Sequence, residues 1–350
     1  ERIAVYGAWR RDLVEALRRY GQWLDDAGFA EPALQARIAR LVERLREDRI
    51  SIAFVAEFSR GKSELINAIF FSGYGRRVLP SAAGRTTMCP TELLHDPARP
   101  PSIRLLPIES RLREEPLSEL RLRTADWHEI PIRPGDHDSV AAAFASVGET
   151  RRVPVEQAVA LGLYRHDDED TPVQPDAAGR VEIPRWRHAI VNIPDPLLET
   201  GLVVIDTPGL NAIGNEPELT LSLIPGADAV LFVLAADAGV TRSDIAVWRE
   251  HVAPVHRNGR FVVLNKIDGL WDELRGEAEI EAELGRQVAS VARTLELPEA
   301  RVYPVSAQKG LVAKVQQDAA LLRRSRLADL ERALAHELVP QRQALARERI

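Results

Sequence analysis

The residues best suited to chemistry follow a short apolar run that ends at Ala56. They read Glu57-Phe58-Ser59-Arg60-Gly61-Lys62-Ser63-Glu64 and have the spacing of a phosphate-binding loop, with Ala56 in place of the usual first glycine. Such a loop surrounds a β-phosphate with backbone N–H groups and leads directly into the N-terminus of a helix. We therefore predict that residues 57–64 bind the phosphates of a nucleotide.

Individual residues of this loop have distinct predicted roles. Gly61 lets the backbone approach the phosphates, Lys62 reaches the β- and γ-phosphate oxygens, and the Ser63 hydroxyl ligates Mg²⁺. Arg60 can reach the transferring phosphate, and we consider it as an arginine finger that acts in cis. The alternative for Arg60 is an exposed side chain in an arginine-rich protein.

A second motif, Asp206-Thr207-Pro208-Gly209, follows a predicted strand. In an open α/β sheet, ligands gather at the carboxyl ends of the strands. We expect Asp206 to join the Mg²⁺ shell through water and the Gly209 N–H to meet a γ-phosphate. A simple turn after a strand is the alternative, because the same residue types favour turns.

Two later motifs indicate which base the nucleotide carries. In Asn265-Lys266-Ile267-Asp268 the Asp268 carboxylate can accept hydrogen bonds from N1–H and the exocyclic amine of guanine, a pattern that adenine lacks, while the Lys266 stem lies along the base. In Ser306-Ala307 a backbone N–H can meet the guanine O6. Because all four motifs follow predicted strands, we predict one site that binds GTP or GDP with Mg²⁺.

The elements that position these motifs alternate between strands and helices. Such alternation predicts an α/β fold with a mostly parallel sheet covered by helices on both faces, as in a P-loop GTPase domain. The predicted strands are Ile50–Ala56, Leu202–Asp206, Ala229–Leu234, Arg260–Leu264 and Val302–Val305, and the helices between them include Lys62–Phe71, Arg242–Val252 and Glu277–Leu295.

The predicted domain organisation has three parts. Residues 1–48 form an N-terminal helical segment, residues 49–310 form the GTPase domain, and residues 311–350 form a C-terminal helical segment. The distance from Ser63 to Asp206 exceeds what one α/β unit needs, so we predict an insertion at about residues 100–187. The two end segments could associate into one helical bundle.

Charge and composition exclude some classes of function. The 350 residues carry 46 basic and 52 acidic side chains, a net charge of −6, so no nucleic-acid partner is expected. The single cysteine, Cys89, permits no internal disulfide, and no apolar run is long enough to span a membrane. We expect a cytoplasmic protein. Only four of the basic residues are lysines: Lys62, Lys266, Lys309 and Lys314.

On these motifs the chain resembles a GTPase of the dynamin superfamily, and is most like the bacterial dynamin-like proteins. The resemblance rests on Glu57-Phe58-Ser59 before Gly61-Lys62-Ser63, on Leu79-Pro80-Ser81-Ala82-Ala83-Gly84-Arg85-Thr86-Thr87, on Asp206-Thr207-Pro208-Gly209-Leu210-Asn211 and on the Asn265 motif. It implies that Thr87, with Thr86 as the alternative, is the switch threonine that binds Mg²⁺ in the GTP state.

The resemblance also implies a mode of catalysis. Leu210 stands where Ras-like GTPases carry a water-orienting glutamine, so another group must assist. In the dynamin family, head-to-head dimers of GTPase domains order the switches, and a loop serine helps to place a monovalent cation. Ser59 matches that serine, whereas Phe58 departs from the glutamine of eukaryotic members. We therefore expect a nucleotide-dependent homodimer, with Lys62, Ser59, Thr87 and Arg60 as the catalytic candidates.

Family analogy suggests coupling to membrane binding or remodelling, with lipid contacts made by regions outside this chain and a peripheral location at the inner face of the cell membrane. The alternative is a regulatory or assembly-factor GTPase, a switch that recruits a protein or RNA partner without remodelling a membrane. The net charge of −6 argues against RNA. An ATPase is disfavoured by Asn265-Lys266-Ile267-Asp268.

Overall fold

A nine-stranded sheet forms the centre of the protein. It is seen in a computed structural model that describes residues 2–29, 31–47, 49–79, 89–113, 115–121, 123–164, 175–208, 224–253, 259–272 and 274–338. The strands lie in the order β11-β10-β9-β1-β8-β2-β7-β3-β4. Their bounds, with those of a separate pair β5 and β6, are β1 Ile50–Ala56, β2 Thr91–Leu94, β3 Ser102–Pro107, β4 His128–Pro131, β5 Thr150–Pro154, β6 Arg180–Pro184, β7 Trp186–Asn192, β8 Leu202–Asp206, β9 Ala229–Ala235, β10 Arg260–Asn265 and β11 Val302–Pro304.

One half of this sheet is entirely parallel. Strand β1 lies between β8 and β9, and β10 and β11 continue the parallel order outward. Strand β1 is apolar along most of its length because both faces are covered: Ile52 and Phe54 face one buried core, and Ala53 and Val55 face the other. The prediction of a mostly parallel sheet with helices on both faces is confirmed.

The other half of the sheet is mixed. Strand β2 is antiparallel to β8 and parallel to β7, and β3 is antiparallel to both β7 and β4. Most of the predicted insertion at about residues 100–187 lies here. Its strands β3 and β4 extend the main sheet, whereas β5 and β6 form a two-stranded sheet with a small core of its own.

Twelve α-helices are found in the described part of the chain. Their bounds are α1 Arg2–Asp26, α2 Pro32–Glu47, α3 Lys62–Phe70, α4 Leu117–Leu120, α5 His137–Val147, α6 Val155–Ala160, α7 Pro196–Glu199, α8 Arg242–Val247, α9 Glu277–Thr294, α10 Ala307–Gln316, α11 Ala319–Ser325 and α12 Leu327–Ala333. Helices α3, α5, α10 and α12 cover the face of the sheet that includes Phe54, and α9 covers the opposite face. No helix in these described ranges is both long and apolar enough to cross a membrane.

The helices at the two ends of the chain are placed differently. Helices α1 and α2 pack on each other through a small core that includes Val14 and Ile38. By contrast, Leu311 of α10 and Leu330 of α12 belong to the same buried core as β1. The predicted boundary after residue 310 falls inside α10, and the division into three domains remains a prediction.

Candidate nucleotide-binding site

The loop from β1 to α3 has the backbone of a tight phosphate-binding turn. Ser59 and Gly61 both adopt the left-handed conformation, with φ of 65° and 87°. A Cβ atom on Gly61 would lie 2.4 Å from the side-chain nitrogen of Asn265, so only glycine fits at this close approach. Left-handed residues in a turn are typical of the concave backbone sites in which N–H groups bind anions.

Lys62 and Asp206 meet at the carboxyl ends of the adjacent strands β1 and β8. The Lys62 ammonium contacts the Asp206 carboxylate and the backbone carbonyl of Thr207, and all three residues are buried. The Thr207 hydroxyl donates a 2.8 Å hydrogen bond to the Phe54 carbonyl in β1. This edge of the sheet therefore holds a buried positive charge whose position is fixed from both strands.

The residues present fit a magnesium ion. The second carboxylate oxygen of Asp206, Oδ2, is buried and has no hydrogen-bond partner among the described residues. Ser63 is half-buried in the first turn of α3, directly after Lys62. Mg²⁺ prefers oxygen ligands and is usually held by one or two protein groups, several waters and the phosphates of a substrate. An unpartnered buried carboxylate oxygen beside a hydroxyl-bearing loop is suited to that role.

Asn265 connects the phosphate-binding loop to the Ser306-Ala307 motif. Its side-chain amide donates a 3.0 Å hydrogen bond to the Arg60 carbonyl, and its side-chain oxygen accepts a 3.0 Å hydrogen bond from the Ala307 N–H. Asp268 accepts a 2.6 Å hydrogen bond from the Ser306 hydroxyl and is half-buried. The three motifs thus form one bonded network.

Two predicted base contacts already have partners within the protein. The Ser306 N–H donates to the Ser325 carbonyl at 2.9 Å, and the Ala307 N–H donates to Asn265. A bond from either group to the guanine O6 would require that group to change its partner. Lys266 has a left-handed backbone, with φ of 62°, and its ammonium lies 3.1 Å from the Asp237 carboxylate, a residue that was not predicted.

Arg60 is buried and paired, contrary to the alternative of an exposed arginine. Its guanidinium lies 2.8 Å from the Glu57 carboxylate and 3.0 Å from the Asp244 carboxylate at the start of α8. Burial raises the pKa of Asp244, while hydrogen bonds from Thr241 and the charge of Arg60 lower it. An arginine finger would have to break both ion pairs, so this arrangement favours a role in fixing the loop.

The remaining loop residues divide into exposed and buried positions. Phe58 and Ser59 are exposed at the tip of the loop. Glu64 is buried, and its carboxylate accepts three hydrogen bonds of 2.7 to 3.0 Å from Arg77. The Glu64 side chain is therefore committed to Arg77, which leaves only its backbone for the predicted contact with phosphates.

The comparison with known proteins now decides the family. The model of the Dynamin family matches residues 52–267, well over half of the chain. The chain belongs to the dynamin family, a family of GTPases. The matched region includes the phosphate-binding loop, the Asp206 motif and most of the Asn265 motif, so the resemblance predicted from those motifs is confirmed.

Relatives of this dynamin-family chain include mitofusin-2 of Rattus norvegicus, which is 23% identical over 306 residues, 85% of this chain and 32% of the relative. A bacterial dynamin-like protein of Nostoc punctiforme is 28% identical over 88 residues, 25% of this chain and 12% of the relative. A solved bacterial dynamin, described as part of an oligomerised pair that senses and tethers membranes, has a TM-score of 0.52 and 14% identity, covering 98% of this chain and 45% of that one. The chain thus spans less than half the length of each.

Several predicted positions of the dynamin switches lie outside the described residues. These are Thr87 and its alternative Thr86, together with Gly209 and Leu210. Sequence reasoning also missed Asp244, Thr241 and Arg77 as partners of the loop, and Asp237 as the partner of Lys266. Thr241 and Asp244 form a capping box at the start of α8, a pattern that could have located this helix end but not its ion pair with Arg60.

Proposed function

We propose that this dynamin-family chain binds GTP together with Mg²⁺ and hydrolyses the nucleotide to GDP and phosphate. The observation that supports this proposal most is the bridge that Asn265 makes between the backbone of Arg60 and the backbone of Ala307. Asn265 lies 205 residues from Arg60 and 42 residues from Ala307 in the sequence. The phosphate-binding loop and the proposed base-binding motif are therefore held at a fixed separation, as recognition of one nucleotide requires.

On the phosphate side, the proposed roles follow from charge and burial. Lys62 is a buried cation held between Asp206 and Thr207, and a cation fixed in advance stabilises developing charge without reorganisation. Ser63 and Asp206, with Thr87, would hold Mg²⁺. When bound, Mg²⁺ neutralises charge on the β- and γ-phosphate oxygens.

On the base side, Asp268 is the proposed guanine reader. The hydrogen bond from the Ser306 hydroxyl occupies Oδ1 and fixes the orientation of the carboxylate. A carboxylate has about four acceptor positions, so about three remain, which is enough for N1–H and the exocyclic amine of guanine. Lys266 would cover the base with its stem.

For catalysis we propose a head-to-head homodimer, with Ser59 helping to place a monovalent cation. Ser59 and Phe58 are exposed at the tip of the phosphate-binding loop, where a second copy could reach them. Sedimentation of the chain with GDP and aluminium fluoride, a mimic of the transferring phosphate, tests this proposal. We expect a dimer with the mimic and a monomer with GDP alone, and a monomer in both conditions would contradict it.

For the biological role we propose membrane binding or remodelling, with lipid contacts made outside this chain and a peripheral location at the inner face of the cell membrane. The similarity in fold to the bacterial dynamin pair, which is described as tethering membranes, supports this proposal. Co-sedimentation of the intact gene product with liposomes tests it. Binding that depends on GTP is expected, and an absence of binding with and without GTP would favour the regulatory switch.

The nucleotide assignment is tested by Asp268→Asn, with Asp272→Asn as the matched control on the same loop. Loss of two hydrogen bonds to a charged acceptor should weaken GTP binding by about 100-fold or more, and the amide should accommodate xanthosine triphosphate instead. Asp272 is exposed, so its variant should bind GTP within about twofold of the wild type. Titrations with fluorescent GTP, xanthosine triphosphate and ATP measure the affinity of each variant for the three nucleotides. A wild-type preference for ATP would overturn the guanine assignment.

A further inference from the structure

Lys314 is a lysine that lies outside the sequence motifs. It lies in α10, and its ammonium donates a 2.8 Å hydrogen bond to the backbone carbonyl of Ala68 in α3. The same ammonium contacts the Glu331 carboxylate of α12. Both side chains are largely shielded, with 20% and 23% of their surface exposed. One ammonium therefore joins three helices.

The Ala68 carbonyl lies at the end of α3 opposite to the nucleotide site. Helix α3 begins at Lys62 and ends at Phe70, a length of about 13 Å. The last carbonyls of a helix have no partner within the helix, and a cation beside them is favourable because the helix dipole is negative there. Lys314 thus fixes the far end of the helix whose first turn carries Lys62 and Ser63.

Near Lys314, helices α10 and α12 are also packed closely against each other. A Cβ atom on Gly310 in α10 would lie 2.8 Å from the Leu327 side chain in α12, so these helices are in close contact. The Ser325 carbonyl, just before α12, accepts the hydrogen bond from the Ser306 N–H in the base-binding motif. A displacement of α12 would therefore affect the phosphate-binding loop through Lys314 and α3. It would also affect the base-binding motif through Ser325 and Ser306.

Resting on the proposed function, we propose that Lys314 is a positioning residue that couples the docking of α12 to nucleotide binding. Through the Ala68 carbonyl it holds α3 in the position that binds phosphates, and through Glu331 it ties that position to α12. Coupling of this kind is reciprocal, so nucleotide binding must stabilise docked α12 by the same factor by which docked α12 strengthens nucleotide binding.

Hydrogen exchange of the full chain measures this coupling directly. The amides of residues 327–338 are followed by mass spectrometry with and without Mg²⁺ and GTPγS, a slowly hydrolysed GTP analogue. In the wild type we expect the nucleotide to slow this exchange by about 10-fold, within the usual range of coupling between sites. Lys314→Met and Glu331→Gln should reduce the effect to less than about twofold, and Lys314→Met should weaken GTPγS binding by about 10-fold.

Asp329→Asn is the matched control, because Asp329 lies on the same helix in an exposed ion pair with Arg332. This variant should retain the full effect of nucleotide on exchange. If Lys314→Met does not fold, Glu331→Gln decides the test, since it keeps the hydrogen bond from Lys314 to Ala68 and removes only the charge partner.

Two outcomes would overturn the proposal while leaving the proposed function intact. One is a wild type that binds GTPγS with unchanged exchange at residues 327–338, and the other is a full nucleotide effect in both Lys314→Met and Glu331→Gln. A purely structural role would lower the unfolding temperature of the variants without removing the nucleotide effect. Failure of the wild type to bind GTPγS would overturn both proposals.

Discussion

Asp206 and Glu92 lie on the adjacent strands β8 and β2, and both carboxylates are buried. Asp206 contacts Lys62 through one oxygen, while its other oxygen has no partner in the described part of the chain. The Glu92 carboxylate accepts a 3.0 Å hydrogen bond from His188 and also contacts Arg121. Burying a charge is costly unless the charge is paired. The Glu92 carboxylate is paired more completely than the Asp206 carboxylate.

The difference separates a carboxylate that the protein itself pairs from one that suits the proposed Mg²⁺ ion. Around Glu92 the partners are supplied by the protein: burial lowers the pKa of His188 well below its usual range, with Arg121 and Arg187 acting in the same direction. His188 is therefore neutral at pH 7, and its N–H can donate to Glu92. Asp206 retains an acceptor that none of the described residues fills. We infer that the Glu92 cluster is structural and that the Asp206 site is built for an ion.

Replacing Lys62 by methionine gives the largest expected effect. Removing one partner of a buried ion pair costs about 3–5 kcal/mol, because Asp206 is left charged and uncompensated. GTP affinity should fall by at least about 100-fold as the phosphate contact is lost. Urea denaturation and titration with fluorescent GTP measure the two losses.

The double variant Lys62→Met, Asp206→Asn separates stability from binding. Because the second substitution removes the stranded charge, most of the stability should return while GTP affinity stays low. Recovery of GTP binding in the double variant would contradict the proposed roles of both residues.

Replacing Glu92 by glutamine should affect stability alone. The buried acceptor loses its charge, and with it hydrogen bonds to charged groups that are each worth about 1.5–3 kcal/mol. We expect the free energy of unfolding to fall by about 2 kcal/mol, with GTP affinity within about twofold of the wild type. The same two assays apply. A loss of GTP affinity as large as that in Lys62→Met would erase the distinction between the two carboxylates.

Because of His188, we expect the free energy of unfolding to depend on pH through the Glu92 cluster and not through the Asp206 site. Its pKa is lowered in the folded protein, so below about pH 6.5 the unfolded chain takes up a proton that the folded chain does not. The free energy of unfolding should therefore fall with decreasing pH by up to about 1.4 kcal/mol per unit, until the folded-state pKa is reached.

The variant His188→Gln should lack this component. Urea denaturation of the wild type and the variant between pH 7 and pH 5 gives two slopes, and their difference isolates His188 from the other titrating groups. Equal slopes would mean that His188 titrates normally in the folded protein.

The sequence predicted the nucleotide half of the sheet better than the mixed half, and the reason is physical. Strands β1 and β8 match their predicted bounds, because buried parallel strands are continuous apolar runs ended by turn residues. The motifs after them are local patterns. The contact between His188 and Glu92 joins residues 96 positions apart, and that between Arg60 and Asp244 joins residues 184 apart. Such pairs depend on the order of strands in the sheet, which no local pattern contains.

The smallest expected effect concerns Ser59, which has a strained backbone and a proposed role in placing a monovalent cation. A left-handed backbone costs a non-glycine residue about 1–2 kcal/mol, while glycine loses about 0.5–1 kcal/mol more conformational entropy on folding. The variant Ser59→Gly should therefore be more stable by about 0.5 kcal/mol.

If the hydroxyl helps to place a monovalent cation, the variant should also lose the stimulation of GTP turnover by potassium. Ser59→Ala is the control, since it removes the hydroxyl and keeps the strain. Stimulation by potassium that survives in both variants would show that the hydroxyl has no part in catalysis, and that the strain at Ser59 serves only to shape the loop.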